Sequence, residues 1–130
     1  MDAIEVYENR IAREIYFCAL KVHRTLGPGL LESAYEECLC YELRKEGFLV
    51  EKQKPLPLIY EEIRLDVGYR IDLLVENCVF VEVKAVEALS EIHTAQILTY
   101  LKLTNCKLGL LINFNVVLIK NGVKRIANGM

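Results

Sequence analysis

Gly68-Tyr-Arg-Ile-Asp72-Leu-Leu-Val-Glu-Asn-Cys78-Val-Phe-Val-Glu82-Val-Lys84 holds two short apolar runs, Tyr69 to Val75 and Val79 to Val83, divided by Glu76, Asn77 and Cys78. Short runs rich in β-branched residues and split by turn formers predict an antiparallel hairpin. Three charges interrupt these runs: Asp72 in the first, Glu82 and Lys84 in the second. Burying an ionised group is unfavourable unless it is paired or bound to a metal, so charges inside core strands need a reason.

Strand geometry decides whether these residues meet. Side chains alternate between the faces of a strand, so Glu82 and Lys84 point one way and Val81 and Val83 the other. If the loop is Glu76 to Cys78, Val75 faces Val79 and Asp72 lies opposite Glu82, with Cβ atoms roughly 5 Å apart. A slip of one residue would put the two acids on opposite faces. Facing carboxylates repel, which raises one pKa, unless a cation sits between them. A divalent ion removes that conflict.

The spacing Asp72-x(9)-Glu82-x-Lys84 on a hairpin resembles the core of the PD-(D/E)XK nucleases. Downstream, Gln96-Ile-Leu-Thr-Tyr100 resembles the Q-x-x-x-Y helix motif of that superfamily's helicase-associated exonuclease branch. Upstream, Gly27-Pro-Gly-Leu-Leu-Glu32-Ser-Ala-Tyr35 resembles the opening of the small bacterial and archaeal proteins called the GxxExxxY family, although two residues, not three, separate Glu32 from Tyr35. The resemblance runs from about Ile11 to Ile126. It implies an α/β fold with a mixed central sheet flanked by helices, similar to restriction endonucleases. It also implies that Asp72, Glu82 and the Val83 carbonyl hold Mg²⁺ or Mn²⁺, hard ions that take oxygen ligands. Glu32, from the first core helix, would help hold the metal or its waters, and Lys84 would position a water or stabilise charge at phosphorus. Gln96 and Tyr100 would meet substrate or orient Lys84. The implied partner is nucleic acid, with DNA favoured, and the implied reaction is phosphodiester hydrolysis. Two alternatives stand beside it. One is a non-catalytic module that keeps the fold and binds nucleic acid or protein; the other makes Lys84 a structural counter-ion of Asp72 and Glu82.

The 130 residues suit one domain, 1–130, and 53% hydrophobic with 26% charged content argues against disorder. No apolar run reaches the roughly 18 residues of a membrane span, and MDAIEVYENR lacks the apolar core of a signal peptide, so a cytoplasmic protein with no membrane partner is expected. Five cysteines without a C-x-x-C pair support neither a zinc site nor a disulfide framework and read as small apolar residues. A net charge of −2 argues against a strongly basic, non-specific nucleic-acid binder.

Periodicity predicts a first helix from Asp2 to about Leu26, with Ile4, Ile11, Ile15, Cys18, Val22 and Leu26 on its apolar stripe. A second runs from about Leu30 to Lys45, with Leu31, Tyr35, Leu39 and Leu43 on one stripe and Gly47 as its stop. Glu36, one turn after Glu32, reads as a solvated helix charge, as do Lys52 and Lys54 on the next strand. Pro55 and Pro57 confine their segment to an edge or bulge. Ser90 suits the N-cap of a third helix, Glu91 to about Leu103, which carries Gln96 and Tyr100 on one face. Read alone, these two are an exposed amide and a half-buried aromatic; the resemblance assigns both to the site. His23 and His93 read as surface residues and form no metal pair. Leu108 to Asn113 predicts a strand covered on both faces. Val116 to Lys120, Asn121-Gly122 and Val123 to Ile126 predict a last hairpin on a type I′ turn, with Lys120, Lys124 and Arg125 as candidate phosphate contacts.

Overall fold

The computed structural model describes residues 3–129; Asp2, the expected start of the first helix, and the side chain of Ile4 lie outside them. The elements in chain order are α1 (Ala3–Leu26), α2 (Glu32–Lys45), β1 (Val50–Pro55), β2 (Leu58–Tyr60), β3 (Ile63–Leu65), β4 (Arg70–Val75), β5 (Val79–Lys84), α3 (Glu91–Thr104), β6 (Leu108–Asn113) and β7 (Val123–Ala127). Among the described residues the main sheet has five strands in the order β1-β4-β5-β6-β7, and β2 and β3 form a separate ribbon. Strands β5 and β6 run parallel, and the other neighbours are antiparallel. A parallel pair needs a crossover, and α3 supplies it. This is the expected mixed sheet flanked by helices.

Each face of the sheet buries its own cluster. Leu73, Val75, Val79, Val81, Val83, Leu110 and Ile112 pack with Ile15, Val22, Tyr35 and Leu39 of α1 and α2. Leu74, Phe80 and Leu111 pack with Ile97, Tyr100 and Leu101 of α3. The approach of α3 depends on Gly109, where a Cβ would lie 3.0 Å from both Ile97 Cγ2 and the Phe80 ring. Strand β6 is buried along its whole length, as a strand covered on both faces should be. Pro55 ends β1, an edge strand, where a missing N–H costs least.

On α1 the residues Ile11, Ile15, Cys18 and Val22 are buried, while Leu26 at the helix end is exposed. On α2 Tyr35, Leu39 and Leu43 are buried, but Leu31 is 76% exposed. Leu31 is the N-cap, with extended backbone (φ −70°, ψ 148°), so it never joins the helical stripe. The helix ends as expected at Gly47, whose φ of 95° lets the Phe48 N–H reach Leu43 O at 3.1 Å. At the start of α3, Ser90 is the N-cap, and its N–H donates to His93 Nδ1 at 3.0 Å. His93 therefore serves the helix end in the place usually taken by Glu or Gln.

The loop between α1 and α2 is tied down by one side chain. The fully buried Tyr35 stacks on Phe114 with ring centroids 4.6 Å apart; its hydroxyl donates to Gly27 O at 2.6 Å and accepts from Leu30 N–H at 3.0 Å. Tyr35→Phe is expected to keep the stacking and lose both bonds, lowering stability by about 1 to 2 kcal/mol in chemical denaturation.

The C-terminal expectation needs correction. Val116 to Leu118 form no strand, Ile119–Asn121 form a single 3₁₀ turn, and β7 pairs with β6 instead. Gly122 has φ −104°, so it does not sit in a type I′ turn. Its glycine answers crowding: a Cβ there would lie 2.1 Å from Asn113 O. The basic residues also separate. Lys124 reaches Thr94 of α3 at 2.9 Å, while Arg125 reaches Asn9 of α1 at 2.6 Å, so they lie on opposite faces of β7 and form no common phosphate contact. His23 is corrected too, being 6% exposed with its Nε2–H donating to Val116 O at 2.7 Å.

Candidate functional site

The hairpin of β4 and β5 pairs Val75 with Val79, Leu74 with Phe80 and Leu73 with Val81. Asp72 and Glu82 come next in that register, and there the carboxylates take over from the ladder. The Asp72 N–H donates to Glu82 Oε1 at 3.2 Å, and the Val83 N–H donates to Asp72 Oδ2 at 2.8 Å. On the other side of β4, pairing with β1 holds at Lys52–Leu73 and Lys54–Ile71 but skips the position between, where Gln53 has φ 50°. Asp72 thus sits where β4 is released from both neighbours, and Ile71 beyond it has crossed to the α3 cluster while Leu73 remains in the other.

Gln53 turns its amide into the opening, donating from Nε2 to Asp72 Oδ1 at 3.2 Å and to Glu36 Oε1 at 2.7 Å. Glu36 is therefore not the solvated helix charge its sequence position suggested. Burial first and the Asp72 charge second push its carboxyl up to about 7, against the Gln53 hydrogen bond. Glu82 is 4% exposed. Burial and then the Asp72 charge push it up to about 8, with the Lys84 charge acting in the opposite direction. Among the described residues Lys84 makes no ion pair within 4.0 Å, whereas Lys52 and Lys54 are engaged by Glu37 and Glu51.

Helix α3 covers this opening. Tyr100 is 5% exposed, meets the Tyr69 ring edge to face with centroids 6.3 Å apart, and lies against Phe80. Its hydroxyl is pushed up to about 12, by burial first and then by the charges of Glu82, Tyr69 and Asp72. Ile97 and Leu101 are fully buried on the inner side. Gln96 is partly buried one turn before Tyr100, and its side chain makes no hydrogen bond to the described residues. Glu32 meets the C-terminal end of β5: its Oε2 accepts from the Ala85 N–H at 3.1 Å, one residue beyond Lys84. Of the α2 acids, it is Glu36 that Gln53 links to Asp72.

A family model described as the PD-(D/E)XK nuclease superfamily matches residues 9–126 of this sequence. The chain belongs to the PD-(D/E)XK nuclease superfamily. No curated protein and no solved structure matches at a significant level. The fold is that of this superfamily: a mixed five-stranded sheet among the described residues, helices on both faces, and the acidic hairpin at its centre. No helix of the described residues is long and apolar enough to cross a membrane. The five cysteines are free thiols, Cys18 and Cys40 buried and the others partly buried.

The donor set fits a hard divalent cation through its chemistry. Asp72 and Glu82 offer oxygen ligands side by side, and the carboxyls of Glu82 and Glu36 are raised by burial first and by the Asp72 charge second. The described residues contain no group of three His, Cys, Asp or Glu side chains close enough to enclose a metal alone. That is compatible with Mg²⁺, which is commonly held by one or two carboxylates and completed by water and substrate phosphate.

Proposed function

We propose that this chain is a metal-dependent phosphodiesterase acting on nucleic acid, with DNA favoured, and that its centre is the released end of the β4–β5 hairpin. The observation that carries this reading is the Asp72–Glu82 pair, two adjoining carboxylates in one electrostatic field that the Lys84 charge partly offsets. Asp72 and Glu82 would hold Mg²⁺ or Mn²⁺. The N–H and C=O of one strand residue point the same way, so the Val83 carbonyl also turns toward Asp72. A divalent ion so held polarises a phosphate and lowers the pKa of a bound water. Lys84 places a positive charge beside the developing oxyanion, a contribution that grows in a water-poor setting. Tyr100, whose hydroxyl feels the charges of Glu82 and Asp72, and Gln96 one turn before it on α3 would meet a phosphate or sugar there. Glu36, shared with Asp72 through Gln53, is suited to orient water rather than to bind the ion alone. The narrower likeness to the GxxExxxY proteins rests on Glu32 and Tyr35, which here hold the Ala85 main chain and the Gly27–Leu30 loop.

A second reading, a non-catalytic module, draws on the β2–β3 ribbon. There Tyr60, Ile63 and Leu65 lie exposed on one face, as a partner-binding surface would. The two readings part in one assay. Labelled single- and double-stranded DNA and RNA are incubated with the protein in Mg²⁺, Mn²⁺ or chelator. Metal-dependent cleavage of any of them supports the enzyme; retention without cleavage in all three conditions supports the module.

A further inference from the structure

Lys84 and Asn113 are register partners on the parallel strands β5 and β6. Both fall on the α3 side of the sheet, in step with Phe80 on β5 and Leu111 on β6. Asn113 is 2% exposed, and a buried amide is costly unless its groups are bonded. Its Oδ1 accepts from the Val86 N–H and from the Asn115 N–H, each at 3.1 Å, and its Nδ2–H donates to Val86 O at 2.9 Å. Asn115 adds a second donor to the same carbonyl at 3.4 Å. One side chain thus takes up both polar groups of a residue two positions past Lys84, acting as a substitute strand partner where β6 has ended.

The anchor is itself held. The Asn113 N–H donates to Gly122 O at 2.8 Å, and the Phe114 N–H takes Lys84 O at 2.9 Å. Phe114 stacks on Tyr35, and His23 grips Val116 O. A chain of bonds therefore runs from α1 and α2 to the exit of β5, and Glu32 holds Ala85 between them.

We propose that Asn113 is a positioning residue for Lys84: its carboxamide fixes the exit of β5 so that the ammonium is presented to the Asp72–Glu82 opening. The proposal deepens the phosphodiesterase reading and rests on it for its catalytic meaning. Without the carboxamide the Val86 peptide groups lose their partners, the link to α3 shifts, and Lys84 loses its fixed origin. Misplacement of about 1 Å is enough to cost up to about a hundredfold in rate.

The test uses Asn113→Ala, with Asn113→Asp as a near-isosteric second variant that turns the donor toward Val86 O into an acceptor. Single-turnover cleavage, Mn²⁺ affinity and the ¹³Cε–¹Hε resonances of Lys84 at fixed pH are measured for each. The expected result is a fall in kcat of about tenfold to a hundredfold. Mn²⁺ affinity should stay within about twofold of wild type, because both carboxylates are untouched, while the Lys84 resonances shift and Val86 amide exchange quickens. A folded variant with wild-type kcat and unmoved Lys84 resonances overturns the proposal. Should neither variant fold, Asn115→Ala, which removes only the second donor to Val86, must give a smaller change in the same direction, and no change overturns the proposal. If wild type cleaves nothing, the nuclease reading fails separately, and the resonance and exchange data still decide whether Asn113 places Lys84.

Discussion

Asp72→Asn is expected to lower metal-dependent cleavage by about a thousandfold or more, because it removes one of the two anionic ligands proposed for the metal while keeping the side chain's shape. The fold should survive. Asparagine Oδ1 can still accept from the Val83 N–H, and the Gln53 amide can turn to accept from the new Nδ2. Stability in chelator should rise or stay level, since Glu82 is freed from a neighbouring negative charge that helps push its carboxyl up to about 8. The counter-ion reading of Lys84 predicts the reverse: removing the charge of Asp72 would leave the ammonium less compensated and cost several kcal/mol. Single-turnover cleavage and thermal melts in chelator, wild type beside variant, separate the two. Undiminished cleavage, or a large loss of chelator-state stability, goes against the metal assignment.

Metal-free protein should lose stability as pH rises from about 5 to 8. The sign follows from where the proton is held: Glu82 sits at about 8 in the folded chain against an ordinary 4.5, so between these values the native state binds a proton that the unfolded chain has released. Below that window both states are protonated and the contribution is fully present; above it the contribution is gone. Its upper limit is on the order of 5 kcal/mol, taking the shift at face value for a buried group. Glu36, raised to about 7, adds a smaller loss of the same sign because it is more exposed to solvent. Melting temperature against pH in chelator is the measurement, and Glu82→Gln should remove most of the slope. Metal affinity should climb through the same window, since ligands bind deprotonated. A flat profile in wild type, or an equal slope in Glu82→Gln, would contradict this assignment of the proton.

The hairpin was legible because two independent rules agreed on it. The three-residue break at Glu76, Asn77 and Cys78 set the register, and the period of two then put Asp72 across from Glu82. Glu36 was not legible. Its position on α2 fits a solvated charge, and only the unusual backbone of Gln53 on β1 brings an amide between it and Asp72, a contact across 17 residues. Asn121-Gly122 suits a type I′ turn by composition, but the glycine answers the Asn113 carbonyl packed against it. His23 follows Ile15 and Ala19 at helical steps on a buried face, and Asn113 closes an apolar strand run where a polar group must find partners.

The claim that Asp72 and Glu82 form a divalent-cation site is tested most directly by calorimetric titration of Mn²⁺ into chelator-stripped wild type and Asp72→Asn. The account predicts saturable binding by wild type near pH 8, weakened by at least about tenfold in the variant, as loss of one charged ligand requires. Equal affinity in the two proteins, or no binding by wild type, would contradict it.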